Sequence, residues 1–245
     1  MLLEGGLSIS HPGPSDIALR YVGHRLVEPT STSRLLSGLP ADEKRRAAAI
    51  LETCPRLDIG ADGSRRKDSL PEATLLFVEE GLLLMLTLRS GAGRRIVVGL
   101  AGAGAVLVPP TPHEELKALA DSSLTIVPPA AHEALLAVPG AAAAVVEGIA
   151  DQLRERQESL GQLSTVRHAE RVRSKLIQLA RTHGKVVTDG VRIGIPLTQR
   201  LLAEMVGSAR ETVSLALAQL AREGFVRREG HCYVLAVRPT DLSPE

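Results

Sequence analysis

The sequence predicts an α+β chain: a β-rich N-terminal unit of sandwich or barrel type, one long helix, and a C-terminal winged helix-turn-helix. Three observations predict it. From Arg56 to Val127, short runs of Val, Leu and Ile are separated by Gly- or Pro-containing breaks, the punctuation of many short strands. From Ala141 to Thr165 proline is absent and helix formers dominate, as one long helix requires. From Pro196 to Val237 two short helical segments flank Gly207, and two strand-like runs follow them.

In chain order, residues 1–31 scatter Gly, Pro, Ser and Thr without periodicity and are expected to be a flexible extension. A short turn over residues 34–40 leads into a helix from Ala41 to Leu51, with Pro40 near its first position. The strand-length runs are Leu75 to Val78, Leu82 to Leu88, Arg95 to Leu100, Ala105 to Val108 and Leu124 to Val127, with a hairpin turn over Ser90 to Gly93. Pro109, Pro110 and Pro112 take the chain out of the sheet, because proline cannot donate to a central ladder. In the long helix Val146, Ile149, Leu153, Arg156, Leu160 and Leu163 follow steps of three and four. That spacing suits either a helix packed on its own domain or a two-fold dimer seam. A further helix runs from Ala169 to Thr182, with Gly184 as its stop. The expected units are 1–31, 32–138, 139–166 and 167–245.

With 245 residues and 44% apolar side chains, the chain can support two packed cores. Its net charge of +1 is unevenly placed. Residues 1–165 carry a balance of −4 and residues 166–245 one of +5, so the attraction for a phosphate backbone lies in the last third. Cys54 and Cys232 form no CxxC pair, which leaves free thiols of a reducing compartment and no zinc or iron-sulfur site. No signal peptide and no apolar run of membrane-spanning length is present, so a cytoplasmic protein is expected. Nucleophile-elbow, P-loop and HExxH signatures are absent, and no enzyme, metal or cofactor is expected.

The chemistry sits around Gly207. Leu201, Leu202, Met205 and Val206 give the first short helix an apolar face, and Gly207 supplies the positive φ of a tight turn. The second helix, Ala209 to Arg222, turns Val213, Leu217 and Leu220 inward and Arg210, Glu211, Ser214, Leu215 and Ala218 outward. Arg210 matches guanine O6 and N7, Glu211 can accept from cytosine N4, and both stand at the helix N-terminus, where base edges are met. With Ser214 they are the expected base readers. Thr198, Gln199, Arg200, Ser208 and Thr212 suit the DNA backbone, as do Arg227 and Arg228 in the wing hairpin. Duller roles stand beside these: Ser208 and Glu211 match an S-x-x-E capping box, Thr198 an N-cap, and the wing arginines a solvated turn.

Leu197-Thr198-Gln199, Leu202-Ala203, Met205-Val206-Gly207, Arg210 to Ser214, Leu217, Leu220, Glu223-Gly224 and Phe225-Val226-Arg227 together resemble the helix-turn-helix signature of the Crp/Fnr family of bacterial regulators. Leu35 to Pro40, Phe77 to Gly81 and Gly102 to Gly104 resemble its N-terminal portion more loosely. The resemblance implies a β-roll sensor of double-stranded jelly-roll type, like a cyclic-nucleotide-binding domain, then a long dimerisation helix. It further implies a winged helix that binds an inverted-repeat site as a homodimer to regulate transcription, with RNA polymerase as a further partner and an effector not identified by the sequence.

The cyclic-nucleotide pattern of that family, Gly-Glu-Leu followed by Arg-Ser or Arg-Thr, is missing. Between Arg95 and Arg154 there is no arginine, and a buried phosphodiester needs a charge-assisted partner. Lys117 is a poor replacement for a bidentate fork, so control by cyclic AMP is not expected. Two cysteines cannot hold an iron-sulfur cluster, and His113 and His132 are ordinary histidines rather than expected haem ligands. Leu215 stands where many relatives have an arginine, so the preferred half-site is expected to differ from theirs. The alternative function is a small-molecule receptor, with cyclic nucleotides among its candidate ligands, whose β-domain, on binding its ligand, switches DNA binding.

Overall fold

The computed structural model describes residues 36–88, 95–163 and 167–242, with the side chains of residues 88, 162, 163 and 239 outside that description. The expected extension over 1–31, the turn at Ser90 to Gly93 and the side chain of Leu163 therefore lie outside the described residues. Helix α1 is Ala41–Glu52, with Pro40 as its N-cap and Asp42 and Glu43 in the first turn, where carboxylates favour the helix dipole.

Strands β1 (Arg56–Ile59), β2 (Ser64–Arg66), β3 (Leu75–Glu80), β4 (Leu82–Leu88), β5 (Arg95–Gly102), β6 (Val106–Leu107), β7 (Glu114–Ala118) and β8 (Ser122–Val127) follow. They form two four-stranded sheets of order β1-β8-β3-β6 and β2-β7-β4-β5, in which every pairing is antiparallel. Between the sheets lies a core that includes Leu76, Val78, Leu83, Met85, Ile96, Val98, Leu116, Leu124 and Ile126.

The uninterrupted apolar runs in β3 and β4 have a packing reason. Successive side chains of a strand point to opposite faces, so a run without polar alternation is covered on both. In β3, Leu76 and Val78 enter the inter-sheet core, whereas Leu75 and Phe77 join Ala47, Leu51, Leu135, Ala141 and Val145 in a helical layer. In β4, Leu83 and Met85 face the inter-sheet core, whereas Leu82, Leu84 and Leu86, with Val97 of β5, belong to the core of the C-terminal helices.

Helix α2 (Pro129–Leu136) leads into the long α3 (Pro139–Leu163) and then α4 (His168–His183). Strands β9 (Gly184–Val187) and β10 (Gly190–Ile193) were not expected, although Asp189-Gly190 between valine runs is a hairpin signal. They continue the wing hairpin of β11 (Val226–Glu229) and β12 (Cys232–Leu235) in a sheet of order β11-β12-β10-β9. Gly184 stops α4, but by another route than a left-handed cap. Its φ of −82° and ψ of 148° start β9 directly, and an added Cβ would lie 2.0 Å from the Ala180 carbonyl oxygen and 2.6 Å from Val191 Cγ1. Gly184→Ala is expected to lower stability by about 1–3 kcal/mol, the usual penalty of overpacking, measured by denaturant unfolding. An unchanged midpoint would show that the α4–β9 junction relaxes.

Candidate nucleic-acid interface

Helices α5 (Gln199–Val206) and α6 (Arg210–Arg222) form the helix-turn-helix. Thr198 is the N-cap of α5, its hydroxyl accepting from the Leu201 N–H at 3.0 Å, so its capping role is realised while its side chain is exposed. Gly207 ends α5 at φ 61° and ψ 36°, the left-handed conformation that favours glycine. The Arg171 guanidinium donates to the Val206 carbonyl oxygen at 3.3 Å, placing a cation on the negative end of the α5 dipole. Beneath the turn, Leu202, Met205, Val213 and Leu220 are at most 1% exposed, so the apolar face that fixes the two helices is complete.

The capping box does not form. The N-cap of α6 is Ala209, without a side-chain cap hydrogen bond, and the Ser208 hydroxyl lies 3.2 Å from His168 Nδ1. One residue of register makes the difference: α6 begins at Arg210, so Ser208 sits too far back to cap it. Glu211 is therefore not drawn to the backbone, and both it and Arg210 are exposed. Val213, Ala216, Leu217 and Leu220 hold α6 down, and Ser214 and Thr212 are half-exposed. Glu211, Leu215, Ala218 and Arg222 form the outward stripe at helical spacing. Arg222 belongs to that surface and was not among the expected contacts, although its position, eleven residues beyond Glu211, is legible from periodicity.

Of the expected backbone residues, Gln199 is half-buried and Arg200 is exposed, 3.5 Å from Glu204. In the wing, Arg227 lies 3.5 Å from Asp189 and 3.3 Å from Glu229, while Arg228 Nε donates to the Gly230 carbonyl at 2.9 Å. Both wing arginines are exposed. Exposed ion pairs of this kind are weak, so neither Asp189 nor Glu229 holds the Arg227 guanidinium firmly.

An open cleft of about 350 Å³ separates the N-terminal end of α6 from β5. Arg95 and Ile96 line one side, and Arg200, Glu204, Ser208, Arg210 and Glu211 line the other. The participation of Arg95 has no sequence signal, because it arises from packing between distant segments.

A buried polar cluster joins α3 to α4. Lys175, 1% exposed, donates to Gln178 Oε1 at 2.7 Å and to Ser159 Oγ at 3.3 Å, and Gln178 Nε2 donates to Glu158 at 3.0 Å. Burial lowers the Lys175 amine below the usual lysine range, against the pull of Glu155 and Glu158. Burial raises the Glu155 carboxyl, and the Lys175 charge offsets part of that rise. A raised folded-state value means that the contribution of Glu155 is full below the ordinary glutamate range and is lost as pH rises through the raised one. Glu155→Gln should therefore match the wild type near pH 4 and melt relatively higher near pH 7. A pH-independent difference in melting temperature would refute the assignment.

The expected seam residues divide between two surfaces. Val146, Leu153 and Leu160 are 63%, 55% and 53% exposed, whereas Ile149 packs against the chain's own helical layer. Arg156 turns to Glu114, its Nη1 2.7 Å from the carboxylate. Among the described residues no group of three His, Cys, Asp or Glu could hold a metal ion. His113 is exposed and His132 half-buried. No single described helix is long and apolar enough to cross a membrane.

Comparison with known proteins places this geometry. The Crp-like helix-turn-helix domain model matches residues 170–241. A CRP-like cAMP-activated global transcriptional regulator of Mycobacterium tuberculosis is 35% identical over 88 residues, 36% of this chain and 39% of that protein. The match thus spans well under half the length of that relative. Among solved structures, a CooA mutant from Carboxydothermus hydrogenoformans superposes with a TM-score of 0.71 at 17% identity, covering 89% of this chain and 96% of the other. FixK2 from Bradyrhizobium japonicum gives 0.63 at 23% identity, covering 78% and 96%. The c-di-GMP responsive regulator CLP from Xanthomonas campestris gives 0.65 at 17% identity, covering 81% and 100%. Residues 170–241 are thus similar to the Crp-like helix-turn-helix domain, and the chain as a whole shares its fold with these solved structures.

Proposed function

We propose that this protein is a sequence-specific DNA-binding transcription regulator, acting in the cytoplasm as a homodimer on an inverted repeat. The observation that carries the reading is the exposed stripe of α6 with Arg210 and Glu211 at its N-terminal end, held on a completed helix-turn-helix core. Arg210, Glu211 and Ser214 read base edges, while Thr198, Gln199, Arg200, Ser208, Thr212, Arg227 and Arg228 position the backbone. Val146, Leu153 and Leu160, seven residues apart and exposed, support a seam between two copies of α3, because a regular apolar ridge facing water favours a second helix. The units would be 32–138, 139–166 and 167–245, with RNA polymerase a further partner.

Selection from a randomised duplex pool at low salt tests the reading. An enriched inverted repeat with half-sites about one helical turn apart supports it, and no enrichment overturns it. Light scattering should report two chains per particle, and a single chain would remove the seam.

Cyclic AMP is not the proposed effector. The cavity of about 260 Å³ between the β-domain and α3 is lined by Asp151, Gln152 and Glu155 beside Met85, Leu100 and Gly104 to Leu107, which offers an anionic phosphodiester carboxylates rather than a guanidinium. Lys117 is engaged by Asp62 at 3.1 Å.

A second reading, a receptor that switches DNA binding, is favoured by one observation: Leu82, Leu84, Leu86 and Val97 share a core with the helix-turn-helix. A duplex engaging Arg210 would need the space in front of β5, so a ligand that shifts this face would change access. Thermal-shift screening of nucleotides and apolar metabolites tests it, and a large rise with a cyclic nucleotide would overturn the exclusion of that class.

A further inference from the structure

We infer that Leu215 is a specificity-determining residue that reads the 5-methyl group of a thymine in each half-site. The inference rests on the DNA-binding reading and adds the base that is recognised. Leu215 is 73% exposed, the highest value among the exposed large apolar side chains of the described residues. The other apolar residues of the described helices that are more than half exposed, Val146, Leu153 and Leu160, share one seven-residue ridge on α3. Leu215 instead stands alone in the middle of the outward stripe of α6, between Glu211 and Ala218. The apolar positions that fix α6 are Val213, Ala216, Leu217 and Leu220, so the fold does not use Leu215.

The chemistry of the major groove narrows the partner. Guanine, adenine and cytosine present donors and acceptors there, whereas thymine also presents a methyl group. A leucine pressed against a purely polar edge would desolvate groups that it cannot hydrogen-bond. Against the thymine methyl it removes apolar surface from water, and Ala218 extends the same apolar strip. Glu211 lies one turn towards the N-terminus, about 6 Å along the helix axis, which is roughly two base steps. The thymine is therefore expected within about two base pairs of a base whose amino group Glu211 accepts.

The test starts from the repeat enriched by wild-type protein. Each thymine is replaced in turn by deoxyuridine, which deletes only the methyl group, and affinity is read by fluorescence anisotropy. One thymine per half-site should be sensitive, with a loss of about 3- to 10-fold per methyl. At that position Leu215→Ala should bind thymine and deoxyuridine equally, and Leu215→Met should keep the discrimination. Unchanged melting temperatures of both variants show that the fold is intact. No enriched repeat overturns the DNA-binding reading and this inference together. An enriched repeat without a sensitive thymine, or equal sensitivity in Leu215→Ala, overturns the Leu215 assignment alone.

Discussion

Arg210→Ala is expected to weaken binding to the selected repeat by about 1–3 kcal/mol per half-site, roughly 5- to 150-fold for each, while changing non-specific duplex binding little. The expectation follows from position and surroundings. Arg210 is the first residue of α6, exposed, and no ion pair is formed by its guanidinium among those described. A forked donor at a recognition-helix N-terminus matches the paired acceptors of guanine, and alanine supplies nothing in their place. Titrations of the selected repeat and of a scrambled duplex at one salt concentration decide it. Equal losses on both would make Arg210 a phosphate contact, with a reduced salt slope as its signature.

The second large effect is expected at the α3–α4 junction, away from any DNA contact. Lys175→Glu should destabilise the protein by about 3–5 kcal/mol, the range for a charge left uncompensated in a buried site. The new carboxylate would face Glu155 and Glu158, the two groups whose charges act on Lys175 now. Lys175→Met keeps most of the volume and should cost about 1–3 kcal/mol, chiefly through loss of the Lys175–Gln178 hydrogen bond. Denaturant unfolding of the two variants separates these outcomes. If Glu and Met destabilise equally, charge is not what the cluster contributes, and packing of the lysine stem is.

Much of the fold was legible in the sequence where a local pattern had one physical solution. The strands β3, β4, β5 and β8 announced themselves as runs of β-branched and aliphatic residues between breakers. By contrast β7, Glu114–Ala118, carries two glutamates and a lysine and gave no such signal. It is a strand because β4 and β2 flank it, and Glu115 is tolerated in burial because Arg66 and Arg95 lie 3.8 Å away. The capping box at Ser208 and Glu211 failed for a related reason. The motif is satisfied by spacing alone, whereas the start of α6 is set by the Gly207 turn and by packing on Leu220 and Leu202.

The division between sequence and structure is clearest around α6. The amino-acid sequence by itself determined which residues face outward there, because a 3.6-residue period with Val213, Leu217 and Leu220 inward leaves Glu211 and Leu215 no other side, whereas Arg210, three residues before Val213, is exposed because it opens the helix. It also determined the turn, since a left-handed position between two helices calls for Gly207. Only the tertiary structure decided that β4 and β5 share a core with these helices, that Arg95 lines a cleft with the first residues of α6, and that Lys175 is buried beside Ser159 of α3. Periodicity reports which face of an element is covered. What covers it is set by contacts between residues distant in the chain, and no local spacing encodes those.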